Sequence, residues 1–301
     1  IKNGTEGKLI LSTESLTYET AISPDSKWLA VVEYDSEDAQ KNQATLASID
    51  GKTQFQLQHG GEVTSVSFTQ DSHLIETAGI DGRLSFWDVQ SGERQFDLDN
   101  SEPVLALASS PIASLAAAGL HNKTRIWDTN SKKSITELAQ AGEIVSVVFS
   151  EDGQWLATGS TEGTVALWSI DENSVSQKYI VQLNGFPRAL AFSPDNQWLA
   201  GGGSIGFAYL WDVTTMQEMT RIPHGNPVTS VSFSTDGTQL FTVSRKVVRI
   251  WNVSTLPKVT RDQLISSACS HLVKNLSPED WATNFGEEEY RLLCPSLPVG
   301  S

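Results

Sequence analysis

Apolar and polar residues alternate along most of the chain in short runs. From Val63 to Phe68, and again from Leu84 to Phe86, apolar side chains are interleaved with polar ones. A period of two sends successive side chains to opposite faces, so these runs predict strands with one buried face each. The stretches SPDS, SEDG, SPDN and STDG lie between such runs, and their Ser, Pro, Asp, Asn and Gly are the chemistry of tight turns.

Two phrases recur together. One is centred on tryptophan: RLSFWDVQSGE from Arg83, KTRIWDTNSKK from Lys123, TVALWSIDENS from Thr164, FAYLWDVTTMQ from Phe207 and VVRIWNVSTLP from Val247. The other precedes it, as in SVSFTQDSHLIETAG from Ser65 and SVVFSEDGQWLATGS from Ser146. Trp87, Trp127, Trp168, Trp211 and Trp251 are spaced by about 40 residues, within the range of repeat architectures. Each unit reads as four short antiparallel strands. Such a sheet cannot bury both faces alone and must stack on its neighbours; arranged around an axis, four-stranded sheets make a β-propeller.

At this point the sequence resembles the WD-repeat family, over roughly residues 1 to 252. Five tryptophans stand at the family's position, and three of them are followed by Asp. The expected fold is all-β, a propeller of six four-stranded blades, with seven, the family's commonest number, as the alternative. Blades are expected over 14–58, 59–98, 99–138, 139–183, 184–222 and 223–252. A strand at 8–13 would close the ring as the outer strand of the last blade, so the propeller would span 1–259. The first unit lacks the tryptophan and is kept because ETAISPDSKWLAVVE from Glu19 matches the second phrase.

The resemblance also assigns residues. In WD-repeat proteins a His before the first strand, a Ser or Thr in the second, an Asp in the next turn and the Trp form a hydrogen-bonded chain; here His59, Thr77, Asp81 and Trp87 match. The same residue types could be read as a hydrolase triad, but recurrence with Trp marks a scaffold role. Elsewhere the set decays: Asn100, Gln140 and Leu183 replace the His, while the last unit keeps His224 and Thr242. Partner contacts in the family concentrate on the top rim, which implies Tyr18, Tyr34, Ile80, Leu105, Leu120, Phe186, Arg188 and Arg245 here. Tyr18, Tyr34, Phe186, Arg188 and Arg245 would form one arc if six blades close. Tyr, Phe and Arg are the side chains that dominate interface energetics.

Charge and composition narrow the chemistry. With 21 Lys and Arg against 36 Asp and Glu, the net charge of -15 opposes a phosphate backbone, so nucleic acid is not expected as a partner. No long apolar segment points to a membrane. Cys269 and Cys294 offer neither a disulfide framework nor a zinc ribbon, which fits a cytoplasmic location. His59, His73, His121, His224 and His271 show no metal spacing, and no phosphate loop is found, so neither metal, cofactor nor catalytic residues are expected.

After Trp251 the pattern changes. Leu264, Ile265, Ala268, Leu272 and Val273 fall at helical spacing, and Ser277, Pro278, Glu279 and Asp280 read as a helix start. A helical tail packed on the propeller is expected over 260–301. Its Asn275, Leu276, Pro278, Glu279, Trp281, Tyr290, Arg291, Cys294, Pro295 and Leu297 resemble the ending of bacterial multidomain WD-repeat proteins. In those, the propeller follows a STAND-type NTPase or a caspase-like peptidase domain. The expected function is therefore a non-enzymatic interaction or sensor module of a larger signalling protein, binding a protein or peptide on its top face. A structural or oligomerising spacer, and an enzyme using the central channel, are the alternatives.

Overall fold

The computed structural model describes residues 16–34, 43–171, 174–245 and 247–254. All belong to the first of the two units into which the chain divides, 1–254 and 255–301. The closing strand expected over 8–13 and the tail expected over 260–301 lie outside the described residues.

Every described strand is paired antiparallel with its neighbour in sequence, and no helix occurs among the described residues. Blade 1 is β1 (Leu16–Ile22), β2 (Trp28–Tyr34), β3 (Ala44–Ser48) and β4 (Gln54–Leu57). Blade 2 is β5 (Val63–Phe68), β6 (Leu74–Gly79), β7 (Arg83–Asp88) and β8 (Arg94–Asp99). Blades 3 and 4 are joined in one sheet of β9 (Ala106–Ser109), β10 (Leu115–Gly119), β11 (His121–Asp128), β12 (Lys133–Phe149), β13 (Trp155–Ser160), β14 (Thr164–Asp171) and β15 (Ser174–Gln182). Blade 5 is β16 (Pro187–Phe192), β17 (Trp198–Gly203), β18 (Phe207–Asp212) and β19 (Glu218–Pro223); blade 6 is β20 (Ser230–Phe233), β21 (Gln239–Ser244) and β22 (Val247–Asn252).

β12 is 17 residues long because the chain does not turn off between blades 3 and 4. Its first half pairs with β11 as an outer strand, and its second half pairs with β13 as an inner one. The sequence pattern places a blade boundary at 138/139, inside this continuous strand.

The recurrent polar residues hold the turns. After β1 the Ser23 hydroxyl donates to Asp25 at 2.7 Å and accepts from the Trp28 amide at 2.9 Å, and Ser150, Ser193 and Ser234 repeat the arrangement with Asp152, Asp195 and Asp236. The Asp after each tryptophan works at the next turn. Asp88 Oδ1 accepts from the Gln90 and Ser91 amides, Asp128 from Asn130 and Ser131, and Asp212 from Thr214 and Thr215. These bonds satisfy backbone donors that the strands leave unpaired, the usual role of Asp in turns.

Blades stack through a repeated size match. Ala30 on β2 shares an apolar cluster with Phe68 of the next blade, Ala117 on β10 with Phe149, and Ala157 on β13 with Phe192. The small side chain leaves room for the ring from the neighbouring inner strand, and burying each ring contributes roughly 1.5–3 kcal/mol. The face between blades 6 and 1 differs. Ile22 holds the register position of Phe68 yet is 62% exposed, and Val248 and Ile250 hold those of the fully buried Leu84 and Phe86 yet are 62% and 60% exposed.

Candidate functional site

Each inner strand begins with one extra residue. Register shifts leave Tyr18 unpaired in β1, Thr64 in β5, Val145 in β12 and Arg188 in β16. Leu105 and Thr229 hold the equivalent place just before β9 and β20, where their amides donate to the Gly119 and Val243 carbonyls. A bulge bends its strand and re-aims the extra side chain. Here it brings Thr64, Leu105, Val145, Arg188 and Thr229 to one central opening of about 870 Å³ lined by all six inner strands. Among the described residues, Glu19 and Arg188 are the ionisable side chains lining it. Burial pushes the Glu19 carboxyl up to about 7, against the opposing pull of the Ser65 hydroxyl and the Val66 amide.

Phe186 and Arg188 form the most distinctive part of this rim. The Phe186 amide donates to Ser204 Oγ at 3.0 Å, and the Ser204 amide donates back to the Phe186 carbonyl at 2.9 Å. Those two bonds fix the entry to β16. The exposed Arg188 guanidinium carbon lies 5.3 Å from the Phe186 ring centroid, a cation–π pair at the mouth. Beside it Ile205 is 49% exposed, and on blade 2 Ile80 is 45% exposed. Ile205 stands in the turn position that holds Asp81 in blade 2 and is not among the rim residues that the family resemblance assigns.

Arg245 is exposed at the β21–β22 turn, and Tyr34 ends β2 opposite Leu16 at the entry to β1. The side chains of Tyr18 and Tyr34 lie outside the described residues. Leu120 is not a rim residue: it is fully buried, in the cluster of Leu84, Phe86 and Trp127. The correction follows from register. Blade 2 spends residues 79–83 between the paired Ala78 and Leu84, whereas blade 3 spends only 120–123 between the paired Gly119 and Thr124. The shorter hairpin puts Leu120 where blade 2 has the buried Gly79, and His121 takes the exposed place of Ile80.

Behind the rim, His59, Thr77, Asp81 and Trp87 are linked. Trp87 Nε1 donates to Thr77 Oγ1 at 2.8 Å, Thr77 Oγ1 lies 2.6 Å from His59 Nε2, and His59 Nδ1 lies 3.2 Å from Asp81 Oδ1. Burial pushes the His59 imidazole down, outweighing the Asp81 carboxylate, so the ring is neutral near pH 7. With Nδ1–H facing Asp81, Nε2 accepts the Thr77 proton. Burial also opposes the Asp81 charge, but the Gly60 amide, His59 and the Arg83 amide together hold its carboxyl below the usual range. Thr77 is fully buried and spends its hydroxyl on the indole and imidazole, which leaves no approach for a substrate.

Blades that lack the His find substitutes. In blade 4 Thr158 donates to Gln140 Oε1 at 2.5 Å and accepts from Trp168 Nε1 at 2.9 Å. In blade 3 Trp127 Nε1 donates directly to Asn100 Oδ1 at 2.9 Å. Blade 6 keeps His224, Thr242 and Trp251. Only blade 5 goes apolar among these, with the Trp211 ring against the bare Cα of Gly201.

A family model described as "Domain of unknown function (DUF7165)" matches residues 99–268, more than half of the chain. The chain belongs to this family. The DUF7165 region takes in blades 3 to 6, and with them Phe186, Arg188 and Arg245. A second model, "WD domain, G-beta repeat", matches residues 51–88, which hold the complete His59, Thr77, Asp81 and Trp87 set. Among curated relatives, Small ribosomal subunit protein RACK1 of Caenorhabditis elegans is 28% identical over 123 residues, 37% of this chain and 38% of that protein. Small ribosomal subunit protein RACK1z of Oryza sativa subsp. japonica is 31% identical over 120 residues, 37% of this chain and 36% of that protein. The chain thus spans little more than a third of the length of these relatives. With the antiparallel blades, these matches make the fold a WD-repeat β-propeller.

Proposed function

We propose that the chain is a non-enzymatic interaction module that holds a protein or peptide at the bulged end of its inner strands. The observation that carries this reading is the pairing of Phe186 and Arg188 at the mouth of the opening, flanked by exposed Ile205. An aromatic ring and a guanidinium on a firmly bonded strand entry offer large contact area at little ordering cost. Glu19 and Arg188 come from different blades, an arrangement suited to binding a partner's polar groups.

The tail's resemblance supports a place in a larger cytoplasmic signalling protein of bacterial type, with a STAND-type NTPase or caspase-like peptidase attached. Ligand binding would act there by differential affinity for two states of the parent. Six blades closing through strand 8–13 is the ring we favour.

The test is capture of partners from lysate by the chain and by a Phe186→Ala, Arg188→Ala double variant. Partners held by the parent chain alone, with melting temperatures within a few degrees, support the reading. Equal capture by both removes Phe186 and Arg188 from recognition; self-association without any captured protein favours a spacer.

A further inference from the structure

The interface between blades 2 and 3 breaks the size match of the others. Glu76 stands at the register position of Ala30, Ala117 and Ala157, and Ser109 at that of Phe68, Phe149 and Phe192. A buried carboxyl has replaced the small residue, and a hydroxyl has replaced the ring that should cover it. A cavity of about 460 Å³ results, opening beside the β5–β6 and β9–β10 turns, at the other end of the blades from the bulged rim. In the second of those turns Ile112 stands where the others carry Asp.

Glu76 is 1% exposed, and neither its Oε2 nor Ser109 Oγ has a hydrogen-bond partner among the described residues. A buried polar oxygen without a partner is costly, so the site is incomplete as it stands. Burial pushes the Glu76 carboxyl up to about 7, with the nearby Ser109 hydroxyl easing its ionisation without reaching hydrogen-bond geometry. Phe86 and Phe96 form an apolar wall, stacked at 4.3 Å between centroids. Asp71 adds a second carboxylate at the rim, and among the described residues no Lys, Arg or His lines the cavity. Of the neighbouring basic groups, Lys132 rests its ammonium over the Phe96 ring at 4.2 Å and His73 Nδ1 lies 3.3 Å from Asp71 Oδ2. Two acidic groups disfavour an anion, and the aromatic wall suits an apolar stem and a cation alike.

We propose that this pocket binds an alkylammonium or alkylguanidinium group, its cation against Glu76 and Ser109 and its stem against Phe86 and Phe96. Such a group can come from a free amine or from a lysine or arginine side chain of a partner protein.

Calorimetric titration of the whole chain with n-pentylamine, n-pentanol and Nα-acetyl-lysine amide tests this. Glu76→Gln keeps the cavity and removes the charge. The double change Glu76→Ala, Ser109→Phe restores the pair used elsewhere in the ring and should fold at least as well as the parent. We expect saturable binding of pentylamine, pentanol bound about thirtyfold more weakly or worse, and loss of amine binding in both variants, the effect of removing one partner of a buried charge pair. Binding of the lysine amide as well assigns the source to a protein side chain; binding of pentylamine alone assigns it to a free amine. Absence of saturable binding of either amine, or equal binding by Glu76→Gln, overturns the proposal.

Discussion

Trp87 and Thr77, on adjacent strands of blade 2, are joined by a buried indole-to-hydroxyl hydrogen bond of 2.8 Å. The same oxygen serves His59 at 2.6 Å, so one side chain satisfies two buried polar groups. Thr77→Val keeps the shape and strands both. The expected loss is about 2–4 kcal/mol, from two unsatisfied buried groups. Thr158→Val should behave alike, since Gln140 and Trp168 depend on it. Urea denaturation measures both, and a loss under about 0.5 kcal/mol in either would mean that the linkage contributes little.

Neutral His59 gives the fold a pH dependence. Its folded pKa lies below the ordinary imidazole value of about 6.5, which holds in the unfolded chain. As pH falls through 6.5 the unfolded chain takes up a proton that the folded one refuses, so stability present at higher pH is lost. Blade 4 already uses Gln140 in this role, which makes His59→Gln a conservative test. The stability difference between parent and variant should shift in the variant's favour as pH falls through that window. A difference that stays constant with pH would show that His59 has the same pKa folded and unfolded.

Much of the architecture was legible because strand alternation and turn chemistry are local. The WD dipeptide could be read since its Trp and Asp act within one blade, on Thr77 and on the turn at Gln90 and Ser91. Gln140 and Asn100 looked like decay because an amide replacing an imidazole is recognised only once its oxygen meets Thr158 or Trp127. Leu120 was misplaced because a one-residue difference in hairpin length shifts what faces outward, and that length shows only in the pairing. The Glu76 and Ser109 pocket was invisible for a related reason: the two residues are 33 positions apart (109 − 76) and meet only across a blade interface.

The Leu120 correction has a direct consequence. Leu120 is fully buried in the core, so Leu120→Ala should cost about 2–5 kcal/mol. Ile80 lies 45% exposed at the rim, so Ile80→Ala should leave stability within about 1 kcal/mol. Chemical denaturation of the two variants separates them. Similar losses at both positions would contradict the register that puts one inside and the other outside.

The join between blades 6 and 1 decides the blade number. At the sealed interfaces a small residue on the second strand meets a large one from the next inner strand, as Ala157 meets Phe192. Carried around the ring, the position of Ala157 is Phe241 and that of Phe192 is Ile22, so the size order is reversed and two rings need not collide. A reversed pair of this kind is compatible with direct closure of six blades, while the exposure of Ile22, Val248 and Ile250 leaves apolar surface that another element could cover. Ile22→Cys and Phe241→Cys in a chain with Cys269→Ser and Cys294→Ser tell the two apart. In a six-bladed ring the new thiols approach within disulfide range and oxidation yields an intramolecular bridge, seen as a reducible shift in gel mobility. If they remain free under oxidant while the variant stays folded, the faces are held apart by a further element, and the ring has more than six blades.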